Sequence, residues 1–513
     1  NAYNTFTGGT VVEAGTLLLT AGGANGTLTG ELTVNAGATV NYTASNAFGW
    51  NAGASVNKLN INGGTVGGND VPNHFWNSFQ LTMTGGVLYQ GGDASVQYNE
   101  WHNPTITILE SAQTAQMLAV SANAAMRIRN DTWAKFDVRN GPADVDLLVD
   151  IPITYQTGSS GITKIGEGVM KVQKNINIAN LYVAGGNLVL AGDSTSSADF
   201  LAVGLSEPWV VGGSSPATLT IQDNASLTVR AVHMGENYQN PIMGMIAEIR
   251  QTGGTFTVTG YNEDPGSPTP YNKGALRIGH WPNETSTYYL SGGNLVIQNA
   301  EAGILLATDG NGTFYQTGGT ANATFVKLNT RPSGSGTGIF TLEGGTFIMG
   351  SGGFVTDAGP YQLNLGGAGP TLRAAADWAS SLNMTLSGTG ANAIHFDTNG
   401  YTVTLSGVLS GAGGLRKLGA GDLVLSGANT YQGGTTVLAG RLLVNNTSGS
   451  GTGTGDVVVQ GGLLGGNGTI GGNVLVQAGA ALSAGNSPGH LTIQQNYTQQ
   501  DEGTLLVELA GYT

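Results

Sequence analysis

Cysteine is absent from the 513 residues, and only 10% of them are charged. The first absence excludes a disulfide frame and a thiolate-held zinc site. No stretch approaches the ~18 consecutive apolar residues of a membrane helix, and no charged-then-apolar leader opens the chain. Helical periodicity is almost missing, so the many Gly-x-Gly patterns read as corners; no helix follows them to receive a phosphate. The six histidines, at 74, 102, 233, 280, 395 and 490, show no metal-ligand spacing. A formal charge of −14 disfavours nucleic acid as a partner.

What the chain has is glycine, 85 residues without a Gly-X-Y period, set among Thr, Asn, Val and Leu. That composition argues against collagen and for a solenoid with many tight corners. Between glycines the apolar residues alternate, as in Leu423, Leu425, Val437, Leu442 and Val444, or from Leu28 through Leu32, Val34, Val40 and Tyr42. Period two over runs of four to six residues means short strands with one apolar face. Strands this short must stack on copies of themselves.

The copies are visible. Gly413 to Val444 sets a pattern that Gly161 to Leu190 reproduces in its first half, with Gly161, Lys164, Gly166 and Gly168 falling where Gly414, Lys417, Gly419 and Gly421 fall. Asn1 to Leu19 reproduces the second half: Asn1-Ala2-Tyr3 stands for Asn429-Thr430-Tyr431, and Gly8-Gly9-Thr10 for Gly433-Gly434-Thr435. Together with Leu405 to Leu443 and with Gly461 to Ile493, which carries Gly-Asn-Ser-Pro-Gly at 485 to 489, these stretches resemble the autotransporter-associated β-strand repeat of bacterial passenger domains. The resemblance implies a right-handed parallel β-helix, exported to the bacterial surface or beyond from a longer precursor, and it implies no catalytic residues.

The expected architecture is an all-β, single-stranded right-handed parallel β-helix with surface loop insertions. Its segments are N-terminal coils (1–70), an atypical aromatic and charged stretch (71–160), Gly-Gly-rich coils (161–395) and repeat coils of the autotransporter type (396–513). Glycine pairs 292/293, 318/319 and 344/345 lie 26 apart, which suggests one coil per pair. At 22 to 26 residues per coil and ~4.8 Å per coil, a rod on the order of 100 Å is expected. Residues 235–245 and 261–273, rich in Pro, Asn and Tyr, are expected to leave the solenoid as loops.

Two places carry candidate sites. Between 127 and 150, Arg127 and Arg129 share one parity and Asp144, Asp146 and Asp150 another. A carboxylate cluster for calcium or for acid/base work on a polysaccharide is one reading. The alternation already explains the spacing, so the expectation is two oppositely charged solvent faces with the arginines opposite the aspartates and no metal bound. Tyr261, Tyr271, His280 and Trp281 form a candidate aromatic platform for sugar rings, against the plainer reading that they cover the coil beneath. The expected function is an extracellular structural or adhesive solenoid, a building block of a surface fibre, sheath or layer. A carbohydrate-binding adhesin and a polysaccharide-processing β-helix enzyme are the alternatives. No cofactor is called for, and the expected partners are further copies of the chain and surface carbohydrate.

Overall fold

The alternation turns into coils. In the computed structural model, which describes residues 8–51, 53–75, 78–92, 100–155, 158–206, 216–237, 244–263, 273–331, 336–485 and 489–507, strands pair in parallel with the strand one coil further along. The chain divides into two compact units, Asn1–Thr257 and Val258–Thr513.

In the first unit, one face stacks Gly30–Asn35, Val56–Asn62, Gln80–Met83, Thr105–Ile108 and Trp133–Val138, and the register runs Leu32, Leu59, Leu81, Ile106, Phe136. A second face runs Val40, Val66, Leu88, Met117, Val149, Val172. Every one of these side chains is buried. Each contributes roughly 1.5–3 kcal/mol relative to an exposed position, which no isolated strand could obtain. This is the parallel β-helix that the repeat implied. Strands of the atypical segment pair within the same stack; its Trp101 is buried, 4.2 Å from Phe75 ring centre to ring centre, and its Trp133 is half-buried.

The second unit begins with the same plan of stacked parallel ladders. Tyr288, Phe314 and Phe340 stack within its core at 5.5 and 5.4 Å with nearly parallel rings. From Trp378 one face of the coils is a separate sheet of seven strands, Trp378–Ser380, Thr402–Leu405, Asp422–Leu425, Arg441–Val444, Leu463–Gly465, Ala481–Ser483 and Thr504–Leu506. Helix among the described residues is a single 3₁₀ turn, Gly390–Asn392, and no helix is long and apolar enough to cross a membrane.

The glycine pairs are corners. Gly319 and Gly345 have φ of +65° and +71°, and a Cβ at either would sit 2.5 or 2.4 Å from the carbonyl oxygen of Gly293 or Gly319, one coil away. Only glycine fits, which is why the pairs recur with the coil. Their 26-residue spacing matches the register, Thr285 on Asn311 and Gly312 on Gly338. Coil length is not held elsewhere, however: Val457 pairs with Val474, 17 residues on, and Thr195 with Ser226, 31 on. The expected 22 to 26 is corrected to this wider range, because corner loops lengthen at small entropic cost while the strand register is kept.

Parts of both expected loops are strand. Residues 235–237 belong to the strand Ser226–Asn237, and 238–243 lie outside the described residues. Asn262 and Glu263 pair antiparallel with Gly274 and Lys273, an exception to the parallel rule that brackets 264–272, also outside the described residues.

Candidate functional site

The residues that repeat most closely are structural. Lys164 is fully buried, and its ammonium donates to the carbonyls of Gly166, Gly168 and Gly185 at 2.7–2.8 Å. Lys417, at the equivalent position of the other copy, donates to Leu418, Gly419 and Ala439 at 2.8–3.0 Å. Each lysine ties a corner to the coil above it. Burial pushes Lys164 down to about 7, while Asp146 and Asp137 act to raise it; burial likewise takes Lys417 to about 8 against Asp397 and Asp422. Asn429 does similar work for the opposite corner, accepting from Leu409 N–H at 2.8 Å and donating to Gly451 O at 2.7 Å. Tyr431 is buried with its hydroxyl 2.6 Å from Thr435 Oγ1.

The carboxylates expected to cluster diverge. Asp144 is exposed in a bend, since the strand that the shared parity suggested begins only at Leu147. Asp146 is 4% exposed and accepts from the N–H groups of Gly141 and Val169 at 2.7 and 2.8 Å. Asp150 pairs with Lys174 at 3.6 Å. Arg127 stands in register with Glu100 and Thr154, in a different sheet from the strand bearing Asp150. The expected arginine-to-aspartate facing is therefore corrected, as is the solvent exposure assumed for Asp146. Among the described residues no group of three or more His, Asp or Glu side chains is placed to hold a metal ion.

What does converge is a histidine and arginine set that sequence spacing concealed. Phe75 bridges to Trp101 and Trp101 pairs with Ile128, so His74, Glu100 and Arg127 fall in one row and His102 and Arg129 in the next. His74 is 6% exposed, its ring 5.8 Å from that of Trp50. Burial, with the Arg129 charge nearby, lowers its pKa to about 4, and the same two causes lower His102. Because the folded chain holds His74 neutral down to about 4 while the unfolded one protonates at 6.5, the folded state binds fewer protons in that window. Its contribution is complete above pH 6.5 and is lost as pH falls toward 4, a loss of about 2–3 kcal/mol at most. Denaturation midpoints followed by circular dichroism are expected to fall between pH 7 and pH 4.5, and His74→Gln to remove a large part of the slope. An unchanged slope in the variant would mean that other groups carry it.

The aromatic candidates do not form one platform. Tyr261 receives Lys273 Nζ over its ring at 5.0 Å, and Lys273 is ion-paired with Glu301. His280 and Trp281 meet edge to face at 5.9 Å beyond the other end of Lys273–Ile278, a strand about 17 Å long. Tyr271 lies outside the described residues. A column the sequence reading missed is Tyr289 on Tyr315; the signal was available, since the two tyrosines occupy the same place in modules 26 residues apart.

Residues 1–19 and 415–444 match the passenger-associated-transport-repeat family. Over 461 residues, 83% of this chain, the sequence is 27% identical to the adhesin BmaC autotransporter of Brucella suis biovar 1 (strain 1330), and it spans 12% of that protein's length. No solved structure matches the chain.

Proposed function

We propose, on the premise that the chain is an autotransporter passenger-repeat protein of the bacterial surface, secreted as part of a longer precursor, that it is a non-enzymatic adhesive β-helix. The observation that carries the reading is similarity to an adhesin along 83% of the chain. The divergence of Asp144, Asp146 and Asp150 also favours it over polysaccharide cleavage, which needs two carboxylates across one bond. Surface carbohydrate is the ligand class, with Tyr261 at one contact point and His280 with Trp281 at another. Beads coated with the purified chain are expected to bind epithelial cells several-fold above albumin-coated beads, with no reducing ends released from polysaccharides. Binding at the albumin level, or release of reducing ends, overturns the reading.

A second reading is assembly of copies into a fibre, sheath or layer. In light scattering on the same chain, mass is expected to rise with concentration. A constant monomer mass removes this reading and leaves the adhesive one standing.

A further inference from the structure

Six adjacent strands of the second unit carry no charged side chain of their own, although Glu343, in the turn after one of them, reaches the Tyr315 hydroxyl. They read TSTYYL, NGTFYQ, GIFTL, YQLNLG, MTLS and LS, from Thr285–Leu290 to Leu409–Ser410, and no residue in them is Asp, Glu, Lys, Arg or His. Their apolar members Tyr288, Phe314, Phe340, Leu363, Met384 and Leu409 are buried in the core. The alternate positions therefore point outward, and the register sets Tyr289, Tyr315, Thr341, Asn364, Thr385 and Ser410 in one column.

Solvent faces of stable proteins ordinarily carry mixed charge, and elsewhere in this unit they do: Arg373 pairs with Asp397 at 3.1 Å and Arg441 with Asp422. The charge-free column is also held in place. Tyr315 donates its hydroxyl to Glu343, which lies beyond the strands, at 2.5 Å, and Tyr289 meets the Tyr315 ring edge to face at 6.0 Å. Asn364 donates to Thr341 Oγ1 at 3.2 Å, and the Tyr361 hydroxyl accepts from Asn383 N–H at 3.0 Å. Past the tyrosines the face deepens into a groove of about 340 Å³, lined by Tyr361, Gln362, Asn364, Asn383, Thr385 and Ser410. Hydroxyls and amides recur along the column at the coil spacing of ~4.8 Å, close to the length one pyranose ring adds to a sugar chain.

We propose that this face, from Tyr289 to Ser410, binds a neutral polysaccharide laid along the coil stack, with rings against Tyr289 and Tyr315 and hydroxyls bonded in the groove. The proposal deepens the adhesive reading by narrowing its carbohydrate ligand to a neutral polysaccharide and assigning it a surface apart from Tyr261, His280 and Trp281, and it rests on that reading only for its biological use. Aromatic faces supply stacking area at low entropic cost, and prepositioned amides and hydroxyls supply orientation without a desolvated charge. An anionic glycan gains nothing here, since no cation stands on the six strands.

The test is calorimetry on the whole 513-residue chain with cellohexaose, mannohexaose and a galactan hexasaccharide as neutral probes, and a hyaluronan hexasaccharide as the anionic one. At least one neutral probe is expected to bind with a Kd on the order of 0.1–1 mM. That Kd is expected to stay within about twofold between low and high salt, since no ion pair is involved. Thr385→Arg, at an exposed position, is expected to weaken binding at least about tenfold by filling the groove, and Tyr315→Ala to weaken it similarly. If no neutral probe binds, if the hyaluronan fragment binds better, or if Thr385→Arg changes the Kd less than about twofold, the proposal is overturned. Cell adhesion by Thr385→Arg beads separates the two ideas: adhesion that persists while sugar binding is lost supports the glycan face and moves cell attachment to another surface.

Discussion

Lys164→Ala is expected to destabilise the first unit by about 3–5 kcal/mol, read as a lower denaturation midpoint and faster amide exchange around Gly168 and Gly186. The side chain is fully buried and its ammonium answers three carbonyls, those of Gly166, Gly168 and Gly185. Each buried carbonyl left without a donor costs about 1–3 kcal/mol, less where water enters the space vacated, and less at Gly168, whose carbonyl keeps the Asn187 N–H at 3.2 Å. Nor can the coil close over the gap, because a Cβ at Gly186 would already lie 2.5 Å from the carbonyl oxygens of Gly166 and Gly168. Lys164→Met tests the assignment to hydrogen bonding: it keeps the apolar stem and loses only the ammonium, so most of the loss should remain. If methionine restores wild-type stability, packing and not the carbonyl cap holds the corner. Lys417→Ala should have a smaller effect in the second unit, where Gly419 and Ala439 lose the ammonium but the Leu418 carbonyl keeps the Thr398 N–H at 3.1 Å.

Asp357→Ala is expected to cost about 3–5 kcal/mol, because it strands a cation inside the second unit. Lys327 Nζ and Asp357 Oδ2 lie 2.6 Å apart with side chains 0% and 1% exposed. Removing both charges with Lys327→Met and Asp357→Leu is expected to cost less than Asp357→Ala alone, since desolvating two charges consumes most of what their attraction returns. A double-mutant cycle by denaturant unfolding settles it: if the double variant is less stable than either single one, the pair contributes net stability in its own right.

Lys164 and Lys417 were visible as one position of a repeat, but the carbonyls they cap belong to corners 1 to 22 residues away, which a linear pattern does not bring together. Lys327 and Asp357 showed no signal at all, because they meet only when Lys327 comes into register with Val355 one coil on. The aspartates failed for another reason. Their shared parity is real, but the strand starts at Leu147, so parity at Asp144 and Asp146 describes a bend and says nothing about a common face. Arg127 was assigned neighbours close in sequence, whereas a parallel coil gives every residue neighbours a whole coil before and after, here Glu100 and Thr154.

Local chemistry was therefore readable and long-range partnership was not. Strand period, glycine corners, the copies around Lys164 and Lys417 and the all-β class follow from residues within ten positions of one another, where backbone sterics and alternation decide. Coil length, the separate sheet from Trp378 onward, the His74–Glu100–Arg127 row and the uncharged column from Tyr289 to Ser410 depend on which residue lands above which. Coils of 17 to 31 residues differ in their loops, and because a loop's length carries little free energy of its own it does not set that register. Only the stacked apolar ladders, closing at one register because a one-residue slip would turn every core side chain outward, decided it.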